Sequence, residues 1–430
     1  ISELEKSMDF QLDLLQKQAV EEALTKGVVV VTGGPGTGKT TTINLMIRCF
    51  EMEKMDIVLA APTGRAAKRM TEATGYEAKT IHRLLEVSGG IEDGDSSHFE
   101  KNEDNPIEAD AVILDEMSMV DIHLMYSLLK AIVPGTRLIL VGDSNQLPSV
   151  GPGNVLKDII DSKAFSVVRL SKIYRQAESS HIVLNAHKIN AGELITLDNK
   201  NKDFFFFEKK DVRSVMGALV YLVKTRLPEY IGASPFEIQV LTPMRKGELG
   251  VEHLNEVLQY YLNPASESKK EKEGRTGVFR EGDKVMQVKN NYKLEWKITN
   301  AKGFSIEEGL GVFNGDMGII KQINTYSERI TVVFDENREA EYPFSSLDEL
   351  ELAYAITIHK SQGSEYPAVV LPLLSGPPIL CNRNLLYTAI TRAQKCVAIA
   401  GRQSMVEQMI HNETEQKRYS GLNDCLKEGL

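Results

Sequence analysis

Short apolar runs alternate with amphipathic stretches along the first part of the chain. The runs predict buried strands at residues 28–32, 57–61, 111–114 and 137–141. Apolar positions at helical spacing predict helices at residues 41–50, 64–74 and 124–132. Because strands that alternate with helices build parallel sheets, we expect a doubly wound α/β domain over residues 1–172. The polar stretch at residues 88–106 predicts a flexible loop or a small hairpin, as an insertion near residues 86–108.

The second half of the chain repeats this pattern less regularly. Strands are predicted at residues 238–241, 368–373 and 396–400, and a helix at residues 385–394. Four consecutive phenylalanines at residues 204–207 fit either a buried strand or a base-stacking platform. These elements predict a second α/β domain made of residues 173–262 and 351–430.

A region of different character interrupts this second domain. Residues 265–275 form a charged stretch typical of a linker, and strand patterns follow at residues 283–288, 318–323 and 330–334. We therefore expect a small β-barrel inserted at residues 263–350. Its first strand lies near a cluster that fits either phosphate contacts or a solvated face, formed by Lys284, Lys289, Asn290, Asn291 and Lys293. Tyr292 and Trp296 could contact a base or pack locally.

Composition excludes several classes of protein. No apolar run is long enough to span a bilayer and no secretory pattern opens the chain, so we expect a cytoplasmic protein that is not membrane-bound. The four cysteines form no CxxC pair, which argues against a disulfide framework or a structural zinc site. The formal net charge of -10 argues mildly against a nucleic-acid coat protein. It leaves room for a motor that holds one strand in a groove, because local charge sets the field there.

A phosphate-binding loop follows the first predicted strand. The segment from Gly33 to Thr40, GGPGTGKT, fits the GxxxxGK[ST] pattern between a strand and a helix. Its glycines let backbone amides face phosphates, and the helix N-terminus adds a positive dipole end. We expect Lys39 to bridge the β- and γ-phosphates of ATP and the Thr40 hydroxyl to bind Mg²⁺. The nucleotide-binding residues expected here are Gly33, Gly34, Gly36, Thr37, Gly38, Lys39, Thr40 and Thr41.

Two further loops supply the acids and the amide that hydrolysis needs. Asp115 and Glu116 end the strand at residues 111–114, where Asp115 would hold Mg²⁺ and Glu116 would polarise the attacking water. A solvated acidic turn is the alternative for this pair. Gln146, in the GDSNQLP segment after the next strand, is expected to sense the γ-phosphate.

Two arginines are candidates for stabilising the charge on the transferred phosphate. Arg175 lies in the segment IYRQ and Arg392 in the segment YTAITRA. Phosphoryl transfer gains most from cations placed on the γ-phosphate. Carrying them on a second domain makes hydrolysis depend on domain closure, which couples chemistry to movement.

These motifs occur together in the order found in superfamily 1 helicases. The segments APTGRAA, TIHRLL, LTPMRKG and TIHKSQGSE fill the gaps between them. The set closely resembles the RecD-like family, in particular the stand-alone RecD-type DNA helicases of bacteria, and covers nearly the whole chain. Relatives of this type include the alpha subunit of exodeoxyribonuclease V, which links the family to DNA recombination and repair. Stand-alone members carry an extra N-terminal region, and with Ile1 as the first residue we expect a longer parent protein.

The resemblance implies two RecA-like domains with ATP in a cleft and single-stranded DNA across the top. It assigns adenine recognition to Gln16, with Gln18 as the competing candidate, and a ribose contact to Glu365. Hydroxyls and backbone amides along the DNA path would bind phosphates without reading the sequence. The residues implied for this path are Pro62, Thr63, Thr80, His82, Thr242, Pro243, His359 and Ser361.

We therefore expect an ATP-dependent, DNA-stimulated helicase that acts on single-stranded DNA and duplex junctions. The resemblance also implies 5′→3′ translocation, and we expect a monomer to be active. Two alternatives stay open: a superfamily 1 motor acting on RNA, and a P-loop switch or scaffold that does not translocate. No acid cluster beyond Asp115 and Glu116 suggests a nuclease site.

Overall fold

The computed structural model describes residues 12–86, 99–174, 179–275, 277–300, 304–414 and 418–429. Their contacts form two compact units. Unit 1 contains the described residues up to Ala191, together with Gln362–Ser364 and the C-terminal residues, and unit 2 contains the rest. Within the described residues, no helix is both long and apolar enough to cross a membrane. The predicted insertion near residues 86–108 lies largely outside the described residues.

Unit 1 is built on a six-stranded sheet. Its strands are β1 (Val28–Gly33), β2 (Ile57–Ala61), β3 (Ala78–Thr80), β4 (Ala111–Leu114), β5 (Arg137–Gly142) and β6 (Ser166–Leu170). They lie in the order β3-β2-β4-β5-β1-β6, and every neighbouring pair is parallel. All four residues of β4 are buried, because apolar side chains pack on both faces. This explains why the strands read as continuous apolar runs.

Helices connect these strands, and their ends follow local capping. They are α1 (Leu14–Thr25), α2 (Lys39–Met52), α3 (Gly64–Thr74), α4 (Ile81–Leu84), α5 (Ile122–Lys130), α6 (Val155–Ser162), α7 (His181–Asn190) and a C-terminal helix at Leu422–Glu428. α5 begins two residues before the predicted start, because the Asp121 side chain accepts from the Leu124 amide. The contacts group α7 with unit 1, whereas the predicted domain boundary lies at residue 172.

Unit 2 combines a second parallel sheet with an antiparallel one. Its strands are β7 (Phe204–Glu208), β8 (Ile238–Thr242), β9 (Glu271–Glu273), β10 (Val278–Arg280), β11 (Lys284–Gln287), β12 (Asn291–Thr299), β13 (Ser305–Val312), β14 (Met317–Asn324), β15 (Arg329–Phe334), β16 (Glu339–Pro343), β17 (Leu350–Leu352), β18 (Ala355–Thr357), β19 (Tyr366–Leu373) and β20 (Ala393–Gly401). Its α-helices are α8 (Val212–Tyr221), α9 (Leu227–Ile231), α10 (Val251–Leu262), α11 (Arg383–Ile390) and α12 (Gln403–His411).

The parallel sheet of unit 2 has the order β18-β8-β19-β20-β7. The four phenylalanines form β7 at its edge, where Phe204 and Phe206 are buried and Phe205 and Phe207 pack against the core. They are therefore core residues and not a base-stacking platform. The predicted helix at residues 385–394 was too long, because α11 ends at Ile390 and β20 begins pairing with β19 at Ala393.

The inserted region has more strands than the sequence pattern predicted. Seven antiparallel strands lie in the order β13-β12-β16-β15-β14-β11-β17. In addition β9, which lies within the predicted linker, pairs with β10 directly after it. The long β12–β13 hairpin was missed, although exposed Lys293, Glu295 and Lys297 alternate there with half-buried residues. Trp296 packs locally: a side-chain carbon at Gly309 would lie 2.3 Å from its ring.

A buried polar network links the inserted sheet to the helix before it. The fully buried Asp283 carboxylate accepts hydrogen bonds from Tyr354 Oη (2.9 Å), Asn263 Nδ2 (2.7 Å), Gln259 Nε2 (2.6 Å) and the Arg280 amide (2.6 Å). Burial raises the pKa of Asp283. Because every donor has its acceptor, the network holds the insert and α10 in one register.

Lys284 belongs to the same interior, which corrects its place in the proposed phosphate-binding cluster. It is 6% exposed, and its ammonium donates to Gln239 Oε1 at 2.8 Å. Lys289 pairs with Asp348, and Asn291 donates to the Glu349 carboxylate. Asn290 accepts from the Asn314 amide at 2.9 Å, so the side chains of four members of the cluster have protein partners in this structure.

Asp283→Ala should destabilise the protein by about 3 kcal/mol, because several buried donors lose their acceptor at once. Urea unfolding of this variant and of Glu308→Ala, an exposed acid on β13, provides the comparison. We expect the control to stay within about 0.5 kcal/mol of the parent. Equal unfolding midpoints for the two variants would contradict a structural role for the network.

Candidate active site

The predicted nucleotide-binding loops meet at one edge of the unit 1 sheet. The P-loop follows β1, the loop with Gln146 follows β5, and the acid pair follows β4. Because these strands are parallel neighbours, their carboxyl ends lie side by side. The Ser144 amide donates to Thr32 Oγ1 at 3.3 Å, which joins the Gln146 loop to the P-loop strand. The fold therefore brings together residues that are more than a hundred positions apart.

Two glycines of the P-loop are required by its shape. Gly38 has a φ of 80°, and a side-chain carbon there would lie 2.7 Å from Gln16 Nε2. A side-chain carbon at Gly33 would lie 2.6 Å from Thr37 Oγ1 and 2.8 Å from the Leu170 carbonyl oxygen. Only glycine tolerates the positive φ of Gly38 and the close contacts at both positions without strain. The loop can therefore present its amides to phosphate groups.

Lys39 and Thr37 hold the loop from within. The Lys39 ammonium donates to the carbonyl oxygens of Gly33 (2.7 Å) and Gly34 (3.0 Å). Thr37 Oγ1 donates to the Gly34 oxygen at 2.8 Å. Thr40 is exposed at the start of α2, beside half-buried Thr41. The positive charge of Lys39 therefore lies at the P-loop.

The geometry favours Gln16 over Gln18 as the residue at the base-recognition position. Gln16 is 1% exposed, and its Nε2 lies 3.5 Å from the Gly38 carbonyl oxygen. It also completes a capping box with Asp13 at the start of α1. Gln18 instead donates to Glu22 on an exposed face. Periodicity alone could not separate the two, because both lie in the same helix.

The acid pair lies in a setting that suits a divalent cation. Burial and the neighbouring Glu116 carboxylate raise the pKa of Asp115 well above its usual range. Such a pair fits a cation, which would reverse this shift by favouring the charged carboxylate. Asp115 and Thr40 would hold Mg²⁺, which when bound neutralises charge on the phosphates.

Glu116 has an unusual backbone and an unexpected partner. Its φ of 54° is in the left-handed region, which non-glycine residues seldom adopt and which clusters at functional sites. Arg69 on α3 lies 3.7 Å from its carboxylate. Sequence reasoning missed Arg69, although Arg65 and Arg69 lie four residues apart on the helix after Thr63. Arg69 would hold the Glu116 carboxylate in place.

Gln146 has an acceptor with no hydrogen-bond donor among the described residues. The side chain is 9% exposed, and its Nε2 lies 3.4 Å from Asp143 Oδ2 while its Oε1 is unsatisfied. A buried amide oxygen without a donor is costly, so it marks a position where a ligand or water would be bound. This supports the predicted sensing role.

The remaining candidates for nucleotide-binding residues lie either in unit 2 or outside the described residues. Arg175 is one of the residues that the structure does not describe. Arg392 belongs to unit 2 and is 2% exposed, with its Nε 3.3 Å from the Thr388 carbonyl oxygen. Glu365, also in unit 2, accepts from Gln394 Nε2 at 3.3 Å. Their roles in nucleotide binding stay predictions.

The predicted DNA contacts of unit 1 also share the carboxyl edge. Thr80 is the register partner of Ala61, which places it next to Pro62 and Thr63. Thr63 caps α3 and Thr80 caps α4 through their hydroxyls. His82 follows on α4, where burial lowers the pKa of its imidazole. The Thr63 hydroxyl and the His82 imidazole can donate to phosphate oxygens without sequence preference. Thr80 is 7% exposed, so its hydroxyl serves the helix cap and does not line a surface.

The structure corrects the role of two hydroxyls in unit 2. Thr242 and Ser361 are fully buried, and they donate to the carbonyl oxygens of Leu249 and Ile358 at 2.7 Å each. Pro243 is buried as well, whereas His359 is half-buried. The Thr242 and Ser361 hydroxyls therefore shape the loops at the ends of β8 and β18, and neither lines a surface. Sequence could not show this, because both side-chain types also bind phosphates.

Comparison with known proteins assigns these features to one family. A model of an AAA domain matches residues 16–152, and one of the SH3 domain of ATP-dependent RecD-like DNA helicases matches residues 254–334. A model of the UvrD-like helicase C-terminal domain matches residues 352–400. The RecBCD enzyme subunit RecD of Mycobacterium tuberculosis is 33% identical over 92% of this chain and 70% of its own length. The chain belongs to the RecD-like helicase family.

Other relatives place the chain within the RecD-like family. The ATP-dependent RecD2 DNA helicase of Deinococcus radiodurans is 36% identical over 90% of this chain. The chain spans 48% of the length of that relative. The structure of Bacteroides Pif1 helicase with ADP-AlF3 and single-stranded DNA is 20% identical, with a TM-score of 0.53 over 93% of this chain and 94% of that one. This likeness confirms the expected α/β fold with parallel sheets.

Glu116→Gln should retain nucleotide binding and lower ATP turnover by about 10²-fold or more, the scale of a positioned base. Affinity for a fluorescent ATP analogue and steady-state ATPase measured on one preparation separate the two effects. Glu77→Gln, an exposed acid of the same unit, is the matched control. Loss of nucleotide binding would mean that Glu116 binds the metal or supports the fold.

Proposed function

We propose that this chain is the motor of an ATP-dependent DNA helicase that moves along single-stranded DNA. The observation that carries the proposal is the shared edge of the unit 1 sheet. It presents the P-loop, the Asp115–Glu116 pair and Gln146 beside the loops with Thr63 and Thr80. If nucleotide and DNA bind at one edge of the sheet, ATP hydrolysis can change the affinity of that edge for the DNA strand.

The chemistry of this motor is ATP hydrolysis with Mg²⁺. Glu116 would orient and deprotonate the attacking water while the P-loop amides and Lys39 bind the phosphates. Gln146 would report loss of the γ-phosphate. Arg175 and Arg392 would stabilise charge on the transferred group, and Gln16 and Glu365 would bind the adenine and the ribose.

Family membership supports DNA as the substrate and 5′→3′ as the direction. We infer that the motor acts on single-stranded DNA and on forks, as a monomer in the cytoplasm. Residues 254–334, which include most strands of the inserted antiparallel sheet, match the SH3 domain of RecD-like DNA helicases, and this sheet would contribute to strand binding. The name of the Mycobacterium tuberculosis relative as a RecBCD subunit makes a nuclease complex a natural candidate for assembly.

The rival functions predict different responses to nucleic acid. A switch or scaffold needs nucleotide binding but no base, and the strained Glu116 backbone argues against it. An RNA motor would be stimulated by poly-U, whereas a DNA motor would respond to poly-dT. ATPase stimulation by both polymers therefore separates the three.

Lys39→Ala should abolish ATP hydrolysis and unwinding and leave the melting temperature near that of the parent, because Lys39 contacts only P-loop carbonyls among its hydrogen-bond partners. Strand displacement on duplexes with a 5′ or a 3′ tail measures activity and polarity together. We expect unwinding of the 5′-tailed duplex by the parent and by Lys26→Ala, an exposed lysine of α1's C-terminal end. Normal turnover in folded Lys39→Ala would refute the site, and unwinding from 3′ tails would refute the polarity.

Arg392→Ala should lower DNA-stimulated ATP turnover by about 10³-fold or more with far less effect on nucleotide affinity, as for an arginine finger. Turnover with saturating poly-dT and the dissociation constant for ADP are the two measurements. Lys395→Ala, an exposed cation of the same unit, should match the parent. Unchanged turnover in Arg392→Ala would remove this residue from the catalytic set.

A further inference from the structure

The P-loop carbonyl oxygens are held by donors from several elements. A loop whose amides face phosphates turns its carbonyls the other way, where each needs a donor. Lys39 and Thr37 serve Gly33 and Gly34, and the Tyr174 amide serves Gly36 at 3.2 Å. The Gly38 oxygen is shared by Gln16 and Thr42.

The Pro35 carbonyl oxygen receives a hydrogen bond from a residue that belongs to none of the sequence motifs. His187 Nε2 on α7 lies 3.1 Å from it, across 152 positions of sequence. Since a carbonyl oxygen only accepts, the imidazole must carry its proton on Nε2. The ring is therefore fixed as a donor to the outer side of the P-loop.

The position of His187 is set by a well-packed helix. Ser180 caps α7 through the Val183 amide, and Ile182, Ala186 and Ile189 are 4%, 0% and 0% exposed. Ala186 precedes His187 directly, so the packed face of α7 fixes the backbone from which the imidazole extends. A donor fixed in this way restrains the peptide that joins Pro35 to Gly36.

We infer that His187 is a positioning residue that preorganises the P-loop for phosphate binding. The inference rests on the proposed function and deepens it, because it names a residue that sets nucleotide affinity without touching the nucleotide. P-loop amides contact phosphate in the ground state and in the transition state alike. Losing the restraint should therefore raise KM for ATP and leave kcat nearly unchanged.

The test compares His187→Leu with His187→Gln, whose amide nitrogen can occupy the place of Nε2. The dissociation constant for a fluorescent ADP analogue with Mg²⁺ is measured without DNA, alongside thermal unfolding. KM and kcat for ATP follow with saturating poly-dT. We expect about a 10-fold rise in dissociation constant and KM for His187→Leu, with kcat within about 3-fold, since one net hydrogen bond is at stake. His187→Gln should stay within about 3-fold of the parent in all three, given its retained donor.

The matched control is Lys188→Ala, the neighbouring half-buried position on α7. If His187→Leu does not fold, His187→Asn replaces it, because the shorter amide falls short of Pro35. Unchanged nucleotide affinity in the Leu or Asn variant would overturn the inference. Equal losses in His187→Gln and His187→Leu would also overturn it, since ring packing would then be the cause. A parent that binds ADP but does not unwind DNA would refute the proposed function and leave the role of His187 standing.

Discussion

The structure around the P-loop depends on supplying hydrogen-bond donors to the carbonyl oxygens of the loop. An anion-binding loop exposes its N–H groups on one side, so its carbonyls need donors on the other. Here those donors come from α1, the loop itself, the start of α2, the segment after β6 and α7. The helices around β1 are therefore placed to serve the loop as well as to cover the sheet.

The same sheet edge concentrates negative charge that protein cations only partly offset. Asp115 and Glu116 are adjacent, and the pKa of Asp115 is raised although Arg69 and Lys39 act to lower it. Arg69 lies 3.7 Å from the Glu116 carboxylate. A left-handed backbone at Glu116 adds strain that the surrounding core must offset. Excess charge and local strain in one place are typical of sites completed by a ligand. Membership of an ATP-dependent helicase family implies ATP as that ligand.

In unit 2 an antiparallel sheet is joined to a parallel sheet in a fixed register. Buried polar groups hold this junction in addition to apolar packing. Asp283, Gln239 and Asn255 each satisfy backbone or side-chain partners on segments distant in sequence. Directional bonds of this kind specify one arrangement, whereas apolar contacts alone tolerate sliding.

The sequence by itself determined the parallel α/β sheets, the P-loop, the acid pair and the family. These features depend on residues close together in the chain or on the periodicity of a single element. Only the tertiary structure decided which of Gln16 and Gln18 contacts the P-loop, and which hydroxyls of the predicted DNA path are buried. It also placed Lys284 in the core, Arg69 beside Glu116 and His187 beside the P-loop. Those outcomes depend on partners far away in sequence, because hydrogen bonding and burial are settled only when distant segments pack.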